Sequence, residues 1–277
     1  MIYLLLAIVS SALISVLMRV SEKYSRSGMA MLAMNYLMCC ALGVLHTSGT
    51  ELFPRAEGMG LTVFLAAVSG LLYLSGFVLM QWNIPRNGVV LTATFMKLGV
   101  IVPTAVSILV FGEQPRPIQL IGIALAICAI FLIQGRGEKG AGSILGLVAV
   151  MLAGGGGDVM AKVFDETAPA ALKNQFLLYI FMVAFVLCVL LCIIRKQKPG
   201  AMDMLFGLAI GIPNYYSARF LLLSIGEIPA MVAYPSFSVG TIIVVALVGV
   251  LCFREKLNRR KLVALGVILA ALVLLNM

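Results

Sequence analysis

The chain has 277 residues, of which 62% are hydrophobic and only 11% charged, with a mean hydropathy of +1.11. A soluble domain is about 45–50% apolar and about 25% charged, so a soluble fold of this size could not hide that much apolar surface. The net charge of +9 does not point to nucleic acid, because the basic residues lie in short loops between apolar runs and not on a separable module.

Runs long enough to cross a hydrocarbon core fall near 1–18, 29–46, 60–81, 88–111, 118–134, 143–163, 174–194, 203–225, 229–253 and 261–277. Segments such as Leu120 to Ile133 are apolar on every side, which excludes the alternating strands of a β-barrel and leaves helices. The first run starts at Met1 without a basic leader and is closed by Arg19 at full span length, so it reads as a retained helix and not a cleaved signal. The expected fold is thus an all-α integral membrane protein of ten transmembrane helices, multi-pass in a cell membrane, by preference a bacterial inner membrane. The cysteines fall within or at the ends of apolar runs without zinc-type spacing, and no cofactor or metal is expected. His46, at the end of the second run, reads as a solvated interfacial residue.

Assigned by parity, one side receives fourteen basic loop residues: Arg19, Lys23, Arg26, Arg86, Arg136, Lys139, Arg195, Lys196, Lys198, Arg254, Lys256, Arg259, Arg260 and Lys261. The other receives Arg55, Arg116, Lys162 and Lys173. The positive-inside rule makes the first side cytoplasmic, with both termini on the opposite side.

Sliding the chain on itself by 142 residues aligns 90–113 with 232–255 without a gap. Identities fall at Val90/Val232, Phe95/Phe237, Ile101/Ile243, Val102/Val244, Val106/Val248, Leu109/Leu251, Phe111/Phe253 and Glu113/Glu255, eight where so apolar a composition gives roughly two or three. Tyr73/Tyr215, Ser75/Ser217 and Leu79/Leu221 extend the match. Five spans per half is an odd number, so the halves enter the membrane in opposite directions as two inverted five-helix repeats, an arrangement suited to alternating access. The expected division is 1–135, a linker at 136–142, and 143–277.

An apolar helix ending Phe111-Gly-Glu113, a polar turn and a small-residue helix (Gly122-Ile-Ala-Leu-Ala126), repeated around Phe253-Arg-Glu255, resembles the drug/metabolite transporter superfamily in its ten-helix form with two EamA-like domains. The resemblance covers essentially the whole chain. It implies a transporter and not an enzyme, and the Phe-Gly-Glu ends read as architectural. The second copy departs from the pattern, with Arg254 for glycine and Ala264 where the first has Gly122. The small multidrug branch of that superfamily relies on an acid in its first helix, and residues 1–18 contain none, which weakens a cationic-drug reading.

A charge near the bilayer centre costs about 2.5–3.5 kcal/mol on insertion scales and turns toward a partner or a wet cavity. Lys97, Arg219 and Asp158 meet this description. Thr94 shares a helix face with Lys97, and Tyr215 and Tyr216 lie one turn before Arg219. Asp158 has an alternative role, since Lys162 follows at i+4 and could pair with it locally. The charges lean positive and suit a substrate carboxylate or phosphate. Tyr73, Asn214, Tyr234 and Ser236 complete the candidate substrate site, Tyr73 and Tyr215 gaining weight because the repeat places them symmetrically. Trp82 and Ser238 belong to the same aromatic and hydroxyl set. Pro103, Pro213 and Pro235 are expected to interrupt their spans as hinges, and Gly207-x3-Gly211 and Gly142-x3-Gly146 to permit close helix contact.

No P-loop, catalytic triad, metal-ligand set or paired carboxylates is visible. The expected function is a secondary transporter in the lipid bilayer. It moves a small zwitterionic or anionic metabolite, with amino-acid export fitting best, and a coupling proton is a further expected partner. A multidrug or nucleobase exporter is the alternative. Cysteine-accessibility labelling should place Lys198 and Arg259 on one face and Lys173 on the other; labelling of all three from one face would overturn the ten-helix count.

Overall fold

The computed structural model describes residues 2–47, 51–109, 116–134, 144–225, 230–255 and 258–275. Among these residues the chain is helical and contains no strand. The helices are α1 (Ile2–Ser21), α2 (Gly28–Thr47), α3 (Met59–Asn87), α4 (Val89–Leu98), α5 (Ile101–Leu109), α6 (Pro117–Gln134), α7 (Ile144–Thr167), α8 (Lys173–Ile194), α9 (Ala201–Ile225), α10 (Ala230–Leu251) and α11 (Arg259–Leu275). A 3-10 turn, Ala170–Leu172, leads into α8. Since α4 and α5 are two segments of one span, these helices make ten spans. α1, α2, α3, α7 and α8 are each long and apolar enough to cross a membrane unaided. The chain is an all-α, multi-pass integral membrane protein, and many large apolar side chains on its outer surface face outward as a lipid-exposed protein requires.

The helix contacts follow the repeat. Exchanging α1 with α7, α2 with α8, α3 with α9, α4 and α5 with α10, and α6 with α11 maps the most extensive helix contacts onto one another. The smaller α1–α3, α1–α4, α2–α3, α4–α11 and α10–α11 contacts have no equally extensive counterpart among the described residues. The pairs α1–α9 and α2–α9 become α7–α3 and α8–α3, and α1–α10 becomes α7 with α4 and α5. The pairs α2–α8, α6–α11 and α4–α10 map onto themselves. The core lies where α2, α3, α8 and α9 meet, around Tyr36, Cys39, Phe77, Phe181 and Tyr215.

Pro103 and Pro213 behave differently. The fourth span breaks at Gly99 and Val100, four and three residues before Pro103, whose ring lacks the N–H that would bond the Gly99 carbonyl. Pro213, expected to interrupt its span, lies inside an unbroken α9, and α10 is likewise continuous through position 235. A proline alone therefore does not decide a break. The third span is also longer than its apolar run, because α3 continues through Pro85 to Asn87. Arg86 closes its end, stacked 4.0 Å above the Trp82 ring.

The expected close helix contacts form at Gly207 and Gly211, where a side chain would meet the Met31 and Asn35 carbonyls of α2. Gly146 packs under Trp82 and Asn83, while Gly142 lies outside the described residues. The run Gly154–Gly157 matters most for the site. A Cβ at Gly155 would strike the Gly99 carbonyl, and one at Gly154 would lie 3.3 Å from the Met96 carbonyl. Gly157 faces Tyr73. This glycine surface lets α7 wedge between α3 and the broken α4–α5 span. Gly155→Leu should therefore cost about 1–3 kcal/mol by overpacking, read as a lower Tm in detergent, whereas Gly266→Ala, whose Cβ meets nothing within 4 Å, should leave Tm unchanged or higher.

Candidate functional site

Wedging α7 against α4 puts Asp158 beside Lys97. The two side chains are close enough to interact electrostatically but form no ion pair within 4.0 Å. Asp158 is exposed on the surface of the bundle and Lys97 is half-buried, and charges in membrane-spanning helices turn toward a partner or a wet cavity. Asp158 also interacts with Tyr73 on α3. The local pairing considered for Asp158 does not form, because Lys162 Nζ lies 3.1 Å from Glu166 Oε1, one turn further along. The Lys97 ammonium sits 3.9 Å above the Phe237 ring of α10. A cation–π contact is worth about 0.5–2 kcal/mol, and it holds the ammonium without neutralising it. Sequence reasoning missed Phe237, although its identity with Phe95 in the repeat was a signal.

Arg219 does not join this group. Among the described residues α7 and α9 have no extensive contact, and the Arg219 side chain lies beside the Tyr215 side chain. With His46, Thr47 and Asn174 these two side chains line a small pocket at the face where α2 ends and α8 begins. About 10 Å³ is enclosed, enough for one water. His46 is half-buried, its Nδ1 2.8 Å from the Leu42 carbonyl and its ring 5.4 Å from Tyr215 and 5.9 Å from Tyr216. It is thus tied into an aromatic cluster, and the reading of it as a merely solvated interfacial residue is corrected. The expected single basic cavity is accordingly two clusters, because Lys97 and Arg219 are carried by helices from different parts of the bundle.

Aromatic rings join the clusters. Tyr73 packs edge-on against Phe181 at 5.9 Å, Phe181 against Tyr215 at 6.3 Å, Tyr215 against Tyr216 at 5.6 Å, and Tyr216 against Phe220 at 5.2 Å. Tyr73 and Tyr215, equivalent in the repeat, meet at Phe181. A larger space of about 180 Å³ opens at the other end of the bundle between α1, α2 and α3, lined by none of the candidate residues.

The remaining candidates divide by their partners. Thr94 is buried and its hydroxyl donates to the Val90 carbonyl at 2.7 Å, so its proton is used within α4. Asn214 is 3% exposed and donates to Asn35 Oδ1 at 3.2 Å, joining α9 to α2. Ser236 is half-buried on α10, one residue before Phe237. The Tyr234 side chain lies outside the described residues.

Comparison with known proteins gives this arrangement a context. Residues 1–135, which take in α1 to α6, match the EamA-like transporter family, and residues 171–268, from α8 into α11, match the Small Multidrug Resistance protein family. An uncharacterized protein of Haemophilus influenzae is 24% identical over 96% of this chain and 93% of its own length. A crystal structure superposes with a TM-score of 0.63 at 15% identity, covering 99% of this chain and 94% of the other, which shows a shared fold.

The division of roles between partners is testable. Asn214→Leu should lower Tm through loss of an interhelical hydrogen bond worth about 0.6–1.7 kcal/mol in a membrane, with ligand affinity unchanged; a loss of affinity at unchanged Tm would return Asn214 to the site. With residues 1–135 similar to the EamA-like transporter family and residues 171–268 similar to the Small Multidrug Resistance protein family, the chain is a membrane transporter.

Proposed function

We propose that the protein is a secondary transporter for a small zwitterionic or anionic metabolite, with amino acids the best-fitting class and export the direction. The observation that carries this reading is the Lys97–Asp158 pair on facing helices, two membrane-embedded groups of opposite charge that are near each other and not directly bonded. Such a pair presents a cation to a substrate carboxylate and an anion to a substrate ammonium. Were the two already in contact, binding would have to break a buried ion pair first. Tyr73 and Phe237 flank the charges with flat surfaces for the substrate's carbon skeleton.

Arg219 and Tyr215, in the pocket at the opposite end of the aromatic series, are a second anion contact on the route. Movement between these stations is by alternating access of two inverted halves, 1–135 and 143–277. The correspondence of the most extensive helix contacts under exchange supports that division. The charges themselves break the symmetry. The repeat equivalents of Lys97, Asp158 and Arg219 are Val239, Val16 and Phe77, so one asymmetric site serves both halves. Asp158 is also the natural carrier of a coupling proton, since the carboxyl can take up a proton when no substrate ammonium faces it.

A multidrug or nucleobase exporter is the second reading, favoured by the Small Multidrug Resistance match and by the aromatic walls. Substrate chemistry separates the two. Lys97→Ala should weaken binding of an amino acid at least tenfold, about 1.4 kcal/mol, while the protein stays folded, and the methyl ester should bind wild type as weakly as the acid binds the variant. Ester and acid binding wild type equally well would sink the carboxylate site. Normal transport by Lys97→Ala would remove Lys97 from it.

A further inference from the structure

The Phe-x-Glu end of α10, read from sequence as architectural, makes a specific long-range contact. The Glu255 carboxylate accepts from the Val89 N–H at 2.7 Å and from the Val90 N–H at 3.3 Å, the first two residues of α4. These are N–H groups that a helix cannot satisfy itself, at the end where its dipole favours an anion. The acid comes from the other half of the chain, more than 160 residues away. Several features serve this approach. Gly88, before α4, has φ 84° and ψ 162°, a conformation restricted to glycine, and a Cβ there would lie 2.8 Å from the carboxylate. Arg254, standing where the first repeat has Gly112, takes a left-handed φ of 53°. It turns the chain after α10 so that the Glu255 N–H bonds the Gly249 carbonyl at 3.0 Å and its side chain reaches α4.

The other end of α4 is also defined. Lys97 is its penultimate residue, and the chain then breaks at Gly99 and Val100, where α7 presses on the backbone. α4 is thus a separate ten-residue rod that carries the site lysine, held by a single acid at one end and jointed at the other. Other ties between the halves at this face involve different helices. Asp203 at the start of α9 accepts from Ser25 Oγ, Arg26 N and Ser27 N of the α1–α2 loop, and Asn83 of α3 donates to the Gly146 carbonyl. Among these ties, the Glu255 contact is the one made to α4.

We propose that α4 is a latched lever: the Glu255 carboxylate holds its N-terminus closed at the basic face of the protein, and release of that contact, pivoting at Gly99–Val100, opens the Lys97–Asp158 space to that face. Glu255 is accordingly a positioning residue, acting on the site through α4. The inference rests on Lys97 lining the substrate route, but its test needs no substrate.

A Lys97→Cys reporter is placed in vesicles of either orientation and treated with a membrane-impermeant thiol reagent, with the chain retaining Lys97 as background for the native cysteines. Combining the reporter with Glu255→Gln should raise the labelling rate at least about threefold from the basic face and not from the other. Gly88→Ala, which crowds the carboxylate away from α4, should do the same if Glu255→Gln accumulates poorly. An unchanged rate in both variants, or an equal rise from both faces, overturns the latch. Failure of substrate binding to depend on Lys97 leaves the labelling result standing, so the two ideas fail separately.

Discussion

Everything at the candidate site depends on how closely α7 can approach the broken fourth span. Of four consecutive glycines, Gly154 and Gly155 remove the side chains that would otherwise keep α7 a normal helix–helix distance from Met96 and Gly99, and Gly156 and Gly157 face Leu72 and Tyr73 of α3. In a lipid environment there is no hydrophobic force between helices, and such small-residue contact supplies the dispersion energy that replaces it. The same run ends at Asp158, so the packing device and the acid are consecutive. Backbone contact at Gly155 brings that acid toward Lys97 without letting the two touch.

A second constraint is that backbone polar groups inside a membrane must find partners. The fourth span violates helical continuity, and the molecule answers locally at each end. At Gly99 the break is covered by α7, and the Gly99 carbonyl accepts from the Val102 N–H at 2.9 Å. At Val89 and Val90 the free N–H groups are met by Glu255. A polar side chain at the lipid depth is used the same way elsewhere, in Asn214 joining α9 to α2. Among the described residues, many polar side chains therefore repair the backbone or tie helices together, whereas Lys97 and Asp158 make no direct ion pair and lie beside aromatic rings.

The most extensive helix contacts are exchanged between the halves, and the charges are not. The positions 142 residues from Lys97, Asp158 and Arg219 hold Val239, Val16 and Phe77, so the candidate site is asymmetric. Tyr73 and Tyr215 keep the symmetry and meet across Phe181, so the rings near the centre belong to both halves. Phe181 stands in the repeat where the first half has Cys39, and both are fully buried at the α2–α8 crossing.

The ten spans, the halfway repeat and the rarity of intramembrane charge were legible in the sequence, because hydropathy, spacing and residue identity are properties of the chain read in order. Lys97 and Asp158 stood out for the same reason, since an ionised group is costly wherever a twenty-residue apolar run places it. Partner choice was not legible. Whether Lys162 turns to Asp158 or to Glu166, whether Asn214 meets substrate or Asn35, and whether Arg219 shares a cavity with Lys97 are decided by which helices pack together, and several i+4 neighbours were equally available along the chain. Pro103 and Pro213 have the same local chemistry, yet the helix breaks before the first and runs unbroken through the second, a difference that proline itself does not contain. The sequence by itself determined the class of protein and its few membrane-embedded charges, through the cost of burying polar groups in hydrocarbon. Only the tertiary structure decided which charges face each other and that Glu255 closes the end of α4, because those contacts join residues more than fifty positions apart.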